Sequence, residues 1–304
     1  MSLLAGLGGG GAAAGTPKVR ARSGHHWWLL GPGLIYLLLF FLVPVVVLLL
    51  TSLKVPVEGG EHGTYAFAMH WENYSDALGL FWRPLVRSFG FAAIATLFTL
   101  LIGYPMAYAI AVRARTRPLL QGLLLVLVVA PFFTSFILRT WAWRQILADE
   151  GPVVSALQWW HLLPGDAQLT ATPFAVVWGL VYSFLPFMVL PIFANLGRLD
   201  PGMLEAGADL YASPFTTFRK VTFPLSLPGV VSGTLLVFIP ASGDYINSSL
   251  LGNATDAQMI GQIIDARFLN LFYPTATALS AILMVAILIL VITYVRRSGT
   301  EDLL

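Results

Sequence analysis

The chain has 304 residues, of which 57% are hydrophobic and 11% charged, and its formal net charge is +2. Soluble globular domains carry about a quarter charged residues, so this composition reads as an integral membrane protein, with no basic surplus to suggest nucleic acid as a partner. There is no cysteine, which excludes a disulfide framework, thiol chemistry and a cysteine-ligated metal.

The chain opens on "MSLLAGLGGGGAAAG", whose small residues cannot bury enough surface to order a segment. Residues 1–26 are therefore expected to form a disordered cytoplasmic tail. Lys18, Arg20 and Arg22 precede an apolar run from Trp27 to about Leu53. That run is longer than the h-region of a signal peptide and no A-x-A site follows it, so it reads as an uncleaved first span. A hydrocarbon core about 30 Å thick needs roughly 20 apolar residues of helix. Six segments qualify, near 28–53, 88–112, 119–141, 173–196, 226–248 and 275–295. Prolines 44, 105, 131, 186, 191 and 240 lie in or beside them and predict kinks. Trp27, Trp28, Trp82, Trp141, Trp143, Trp159 and Trp160 fall near span ends, where amphipathic rings favour the headgroup layer.

Orientation follows from the basic residues. Lys18, Arg20, Arg22, Arg113, Arg115, Arg117, Arg198, Arg219, Lys220, Arg296 and Arg297 fall on one side, eleven against six on the other. Both termini are thus expected in the cytoplasm, with 298–304 as a short C-terminal tail. The outer side then carries nine acidic residues against its six basic ones, a hint of a mouth that favours cations.

Between the fourth and fifth spans runs a polar, proline-punctuated stretch, "EAGADLYASPFTTFRKVTFPLSLP" at 205–228. Asp200 before Pro201 and Ser213 before Pro214 each offer an N-cap followed by proline at the first helical position. Two short helices of about 10–12 residues are expected, too short to cross a bilayer. The first has an apolar side (Leu204, Ala208, Tyr211) and an acidic side (Glu205, Asp209, Ala212).

This segment resembles the cytoplasmic EAA loop of binding-protein-dependent ABC importers, E-A-A, three residues, G, nine residues, I-x-L-P. Glu205 and Ala206 match its start, and Leu225 with Pro228 keep the hydrophobic and proline punctuation at its end. Gly207 stands for the second alanine and Tyr211 for the glycine. "PFFTSFILRTWAW" at 131–143 and "PLSLPGVVSGTLLVFIPASGDYINSSLLG" at 224–252 resemble the first of the two permease subunits of spermidine/putrescine importers. The resemblance runs from about 28 to 297. It implies an all-α membrane protein of type I ABC importer permease fold, with 27–297 as a six-helix domain and 199–227 as its cytoplasmic coupling loop. It also implies a bacterial cytoplasmic (inner) membrane location, a partner ATPase dimer that binds ATP and Mg, a second permease subunit and an extracytoplasmic solute-binding protein. Glu205, Ala206, Gly207, Asp209, Leu210, Tyr211 and Ala212 would then contact the ATPase. Related importers carry iron, thiamine or other small solutes, so polyamine competes with these as the cargo.

No cofactor or metal site of the chain's own is expected. Its three lysines follow Pro17, Leu53 and Arg219, so no G-K-[ST] phosphate loop exists and ATP hydrolysis would fall to another polypeptide. His25, His26, His62, His70 and His161 show no H-E-x-x-H spacing. Asp244, the one acidic residue placed within a span, either faces the solute path beside Tyr245 or sits in the outer headgroup layer because Pro240 and Gly243 end the helix early. Arg139, Trp141 and Trp143 are either path residues or interfacial anchors. Asn73, Asn247 and Asn253 open N-x-[ST] triplets to which no role is assigned. A self-contained secondary transporter would show inverted repeats, and a membrane enzyme paired catalytic groups; neither is visible.

Overall fold

The computed structural model describes residues 25–164, 168–200, 202, 211–253 and 255–297, with side chains from residue 30 onward. The chain divides into two units, Met1–Val47 and Leu48–Leu304. α1 (His25–Leu37) runs through a π-helical turn (Leu38–Leu42) into α2 (Val43–Ser52), within which the first unit ends. Tyr36 and Phe40, one helical turn apart, stack with ring centroids 4.6 Å apart.

After α2 the second unit continues with a two-stranded antiparallel hairpin that the hydropathy pattern did not announce. Its strands β1 (Lys54–Pro56) and β2 (Tyr65–Phe67) pair Val55 with Ala66. α3 (Glu72–Tyr108) continues through a π turn to Arg113. At about 1.5 Å per residue this helix is much longer than the hydrocarbon core, so the expected span 88–112 is only its inner part. α4 (Pro118–Val129) ends in a 3-10 turn, Ala130–Phe133, and α5 (Phe136–Ile146) follows. α6 (Pro152–Trp159) is a short surface helix, and α7 (Pro173–Gly197) is capped by Thr172, whose Oγ1 accepts the Ala175 N–H at 3.2 Å. α8 (Pro214–Thr217), a π turn (Phe218–Thr222) and α9 (Phe223–Ser242) form one continuous rod. α10 (Ile246–Leu251), α11 (Ile260–Leu269) and α12 (Tyr273–Arg297) complete the chain.

By length and composition five helices can cross a membrane, and the bent pair α4–α5 makes a sixth if taken as one span. In that pair the kink expected at Pro131 in span 119–141 is a full break, the two halves meeting at 98°. Pro131 brings no N–H to the ladder, Thr134 turns its Oγ1 back onto the Pro131 carbonyl at 2.8 Å, and its backbone is extended. The expected span 226–248 is likewise cut. α9 stops at Ser242, and Asp244 lies beyond it in the turn before α10. Ser213 does cap its helix, accepting the Thr216 N–H at 3.2 Å, but α8 leads straight into α9 rather than standing as a separate short helix. Asp200 accepts the Gly202 N–H at 3.0 Å; the first short helix of the loop lies outside the described residues, as do the tails before residue 25 and after residue 297.

α3, α7 and α9 pack together as the centre of this unit. Ala92, Ala95, Leu180, Met188, Val189 and Val237 are among its buried residues. Without a hydrophobic drive between helices in lipid, close packing and interhelical hydrogen bonds hold such a centre. Glycines supply the closeness: a Cβ on Gly233 would lie 2.8 Å from Met188 Sδ, and one on Gly229 would lie 2.9 Å from the Pro191 carbonyl oxygen. The Tyr104 and Ser226 hydroxyls join α3 to α9 at 2.7 Å. A second cluster, Ala77, Ile260, Ile263, Ala278, Leu279 and Leu283, ties α3 to α11 and α12.

Candidate functional site

Two regions carry the expected functional residues, and the rod Pro214–Ser242 connects them. At its base lies the loop with the E-A motif. Glu205, Ala206, Gly207, Asp209 and Leu210 lie outside the described residues. Tyr211 is described, and its backbone sits in the left-handed region at φ +54° with its ring 98% exposed. The turn that a glycine makes without strain is therefore made by a tyrosine, at a steric cost that glycine avoids. Ala212 beside it is half-buried. Arg115 donates to the Leu199 carbonyl at 3.0 Å, fastening the start of this loop to the α3–α4 connection.

At the other end the rod stops at Gly243, and the next residue turns inward. Asp244 is 8% exposed. Its Oδ1 accepts the Asn247 N–H at 2.7 Å, and the Ser248 N–H and the Asn247 side chain lie beside the carboxylate. Such a group satisfies donors that the first turn of a helix leaves unpaired, so Asp244 starts α10. The helix ends early, as the second alternative supposed, and Asp244 lies buried just beyond that end. The next residue, Tyr245, is 44% exposed.

Asn247 is where the two resemblance-bearing stretches meet. The Thr140 hydroxyl of α5 donates to Asn247 Oδ1 at 3.3 Å, so the residue after Arg139 and the residue capped by Asp244 share a bond. Ser248 extends the junction, its hydroxyl donating to Gln262 Oε1 at 2.8 Å and accepting the Met259 N–H at 2.9 Å. A Cβ on Gly261 would run into the Gly243 carbonyl, and one on Gly179 would lie 2.6 Å from Asn247 Oδ1. Thr140, Gly179, Asn247, Ser248 and Gly261 were not singled out for this from the sequence. Their only signal was small or polar character inside apolar runs, the type that membrane helices place at interfaces. Asn73 and Asn253 are structural too: Asn73 Nδ2 donates to the Ser52 and Lys54 carbonyls, and Asn253 Oδ1 accepts three successive N–H groups of its own loop.

Arg139 and the tryptophans divide. Arg139 holds its guanidinium 5.4 Å from the Phe136 ring, with Nε and Nη1 buried and without a hydrogen-bond partner among the described residues. It does not pair with Asp244; the one ion pair among the described residues is His70–Glu72, at 3.2 Å. Trp141 is 51% exposed, whereas Trp143 packs edge-on against Trp178 and Tyr182 of α7, at 5.6 and 5.3 Å. Among the described residues no three metal-ligating side chains lie together. The junction can therefore serve as a rigid polar knot that joins α5, α7, α9, α10 and α11 at the end of a rod.

Residues 99–298 match the family described as binding-protein-dependent transport system inner membrane component. The spermidine/putrescine transport system permease protein PotB of Escherichia coli (strain K12) is 37% identical over 230 residues, covering 75% of this chain and 82% of that protein. PotB of Haemophilus influenzae is 36% identical over 236 residues, 77% of this chain and 81% of the relative. Among solved structures, a bacterial ABC transporter involved in the import of the acidic polysaccharide alginate superposes with a TM-score of 0.67. That match covers 91% of this chain and 97% of the other at 18% identity, a likeness of fold.

Proposed function

Since the chain belongs to the binding-protein-dependent transport system inner membrane components, it is a permease subunit of an ABC importer, and we propose that its solute is a polyamine such as spermidine or putrescine. The observation that carries the solute class is the 37% identity to PotB over 82% of that protein's length. In this reading a second permease subunit completes the path, an extracytoplasmic binding protein delivers the solute, and an ATPase dimer holds ATP and Mg. The chain itself hydrolyses nothing, in keeping with the missing G-K-[ST] loop. Both termini lie in the cytoplasm, on the side rich in lysine and arginine.

The architecture supplies a mechanism for coupling. The loop 199–227 docks on the ATPase through Glu205 and its neighbours. When ATP binding closes the ATPase dimer, the push enters at the base of the rod Pro214–Ser242. A helix of that length is about 40 Å long at 1.5 Å per residue, and it delivers the displacement to the Gly243–Asp244 turn. There the Asn247 knot passes it to α5 and α11, so the broken helices move as a group and not singly.

The test is reconstitution of the chain with its ATPase, second permease subunit and binding protein in vesicles, followed by uptake of labelled spermidine and putrescine. ATP-dependent uptake competed by polyamines and not by iron or thiamine is expected. Uptake of another solute with no polyamine competition would overturn the solute class, and uptake without ATPase subunits would overturn the importer mechanism.

A further inference from the structure

Between α3 and α11, on the side of the molecule that carries the hairpin, lies a pocket of about 370 Å³ bordered by Phe81, Gln258, Ile263, Arg267, Asn270 and Phe272. It exists because α3 kinks there: Phe81 leaves helical geometry at φ −120°, ψ 17°. The Arg267 guanidinium lies between two rings, 5.2 Å from Phe81 and 5.2 Å from Phe272. Ring faces attract the cation and hold its plane, so the fork is oriented in advance of any ligand. No carboxylate comes within ion-pair distance of it among the described residues, Asp265 on the same helix included. Gln258 at the pocket's edge is held by Arg87, which donates to the Thr255 and Gln258 carbonyls at 3.1 and 3.4 Å.

The rim is tied to the hairpin. The Tyr65 hydroxyl of the hairpin donates to the Leu271 carbonyl at 2.9 Å, and His62 Nε2 meets the Asn270 carbonyl at 3.2 Å. A positively charged, unpaired and pre-oriented fork suits a planar anionic oxygen group and repels a polycation. We propose that this pocket receives a carboxylate side chain of the extracytoplasmic binding protein, with Arg267 as the anchor. The partner is the one named under the proposed function, and the site rests on that reading.

The experiment measures ATPase activity of the reconstituted complex against binding-protein concentration. Arg267→Gln is expected to raise the half-stimulating concentration about tenfold while leaving basal activity and the maximal stimulated rate unchanged, since losing a docking charge weakens encounter and retention. Ala266→Glu, which leaves the Phe81–Arg267–Phe272 stack intact and sets a negative charge in the pocket, is expected to do the same, and it reports even if the Arg267 variant misfolds. An unchanged half-stimulating concentration in a folded variant overturns the site. So does a difference between wild type and variant that vanishes in lipid-free detergent, because the pocket would then hold a lipid phosphate. Wild-type complex that no binding protein stimulates would defeat the proposed function and the site with it.

Discussion

Replacing Asp244 separates the two tasks a buried carboxylate can perform. In the structure Oδ1 accepts the Asn247 N–H at 2.7 Å and the residue is 8% exposed. Asp244→Ala removes an N-cap acceptor, a change that costs about 1 kcal/mol, and strands a buried N–H, for which the range extends to about 3 kcal/mol. Because these are overlapping descriptions of one bond, the expected loss is about 1–3 kcal/mol in all. The reconstituted complex should therefore melt at a lower temperature than wild type. Asp244→Asn keeps an oxygen acceptor of the same shape, and asparagine caps as well as aspartate. It should stay within about 0.5 kcal/mol of wild type and keep most of its polyamine uptake. The assay is thermal unfolding of each variant beside uptake in vesicles. A several-fold loss of uptake in Asp244→Asn at unchanged stability would refute capping as the residue's only task and assign the charge to the solute. An Asp244→Ala variant as stable as wild type would refute it from the other direction.

Three further outcomes are expected. Gly229→Ala sets a Cβ 2.8 Å from Asn195 Cβ and 2.9 Å from the Pro191 carbonyl oxygen; backbone cannot yield there, so overpacking should cost about 1–3 kcal/mol, read as a lower melting temperature of the purified subunit. Glu205→Ala should abolish most binding-protein-stimulated ATPase activity with insertion unchanged by protease mapping; wild-type stimulation would remove this loop from the coupling interface. In this cysteine-free chain, Thr116→Cys should be labelled only from the cytoplasm and Glu61→Cys only from outside; the reverse pattern would invert the topology.

Composition, span count and the polar loop were legible from residues alone, because the bilayer imposes a length and an apolarity on each segment that any chain must meet locally. The cap at Ser213 was legible for the same reason, since a cap bonds only two or three residues away. The resemblance at Glu205 and Ala206 was legible as a pattern. What required the tertiary structure was every feature set by a distant partner. Hydropathy averages over a window and is blind to a break at Thr134 and Ser135, because Phe132 and Phe133 before it and Phe136, Ile137 and Leu138 after it are all apolar. It ran on past Gly243 as well, where the alternative reading from Pro240 and Gly243 had the helix end. The left-handed Tyr211 and the meeting of Thr140 with Asn247, 107 residues apart, depend on how helices fold back on one another. So does the pairing of Arg267 with Phe81. Sequence determined that the helices form and where water must stop; packing decided which small polar residues meet, because a buried hydrogen bond forms only where two backbones approach closely enough to bring its donor and acceptor together.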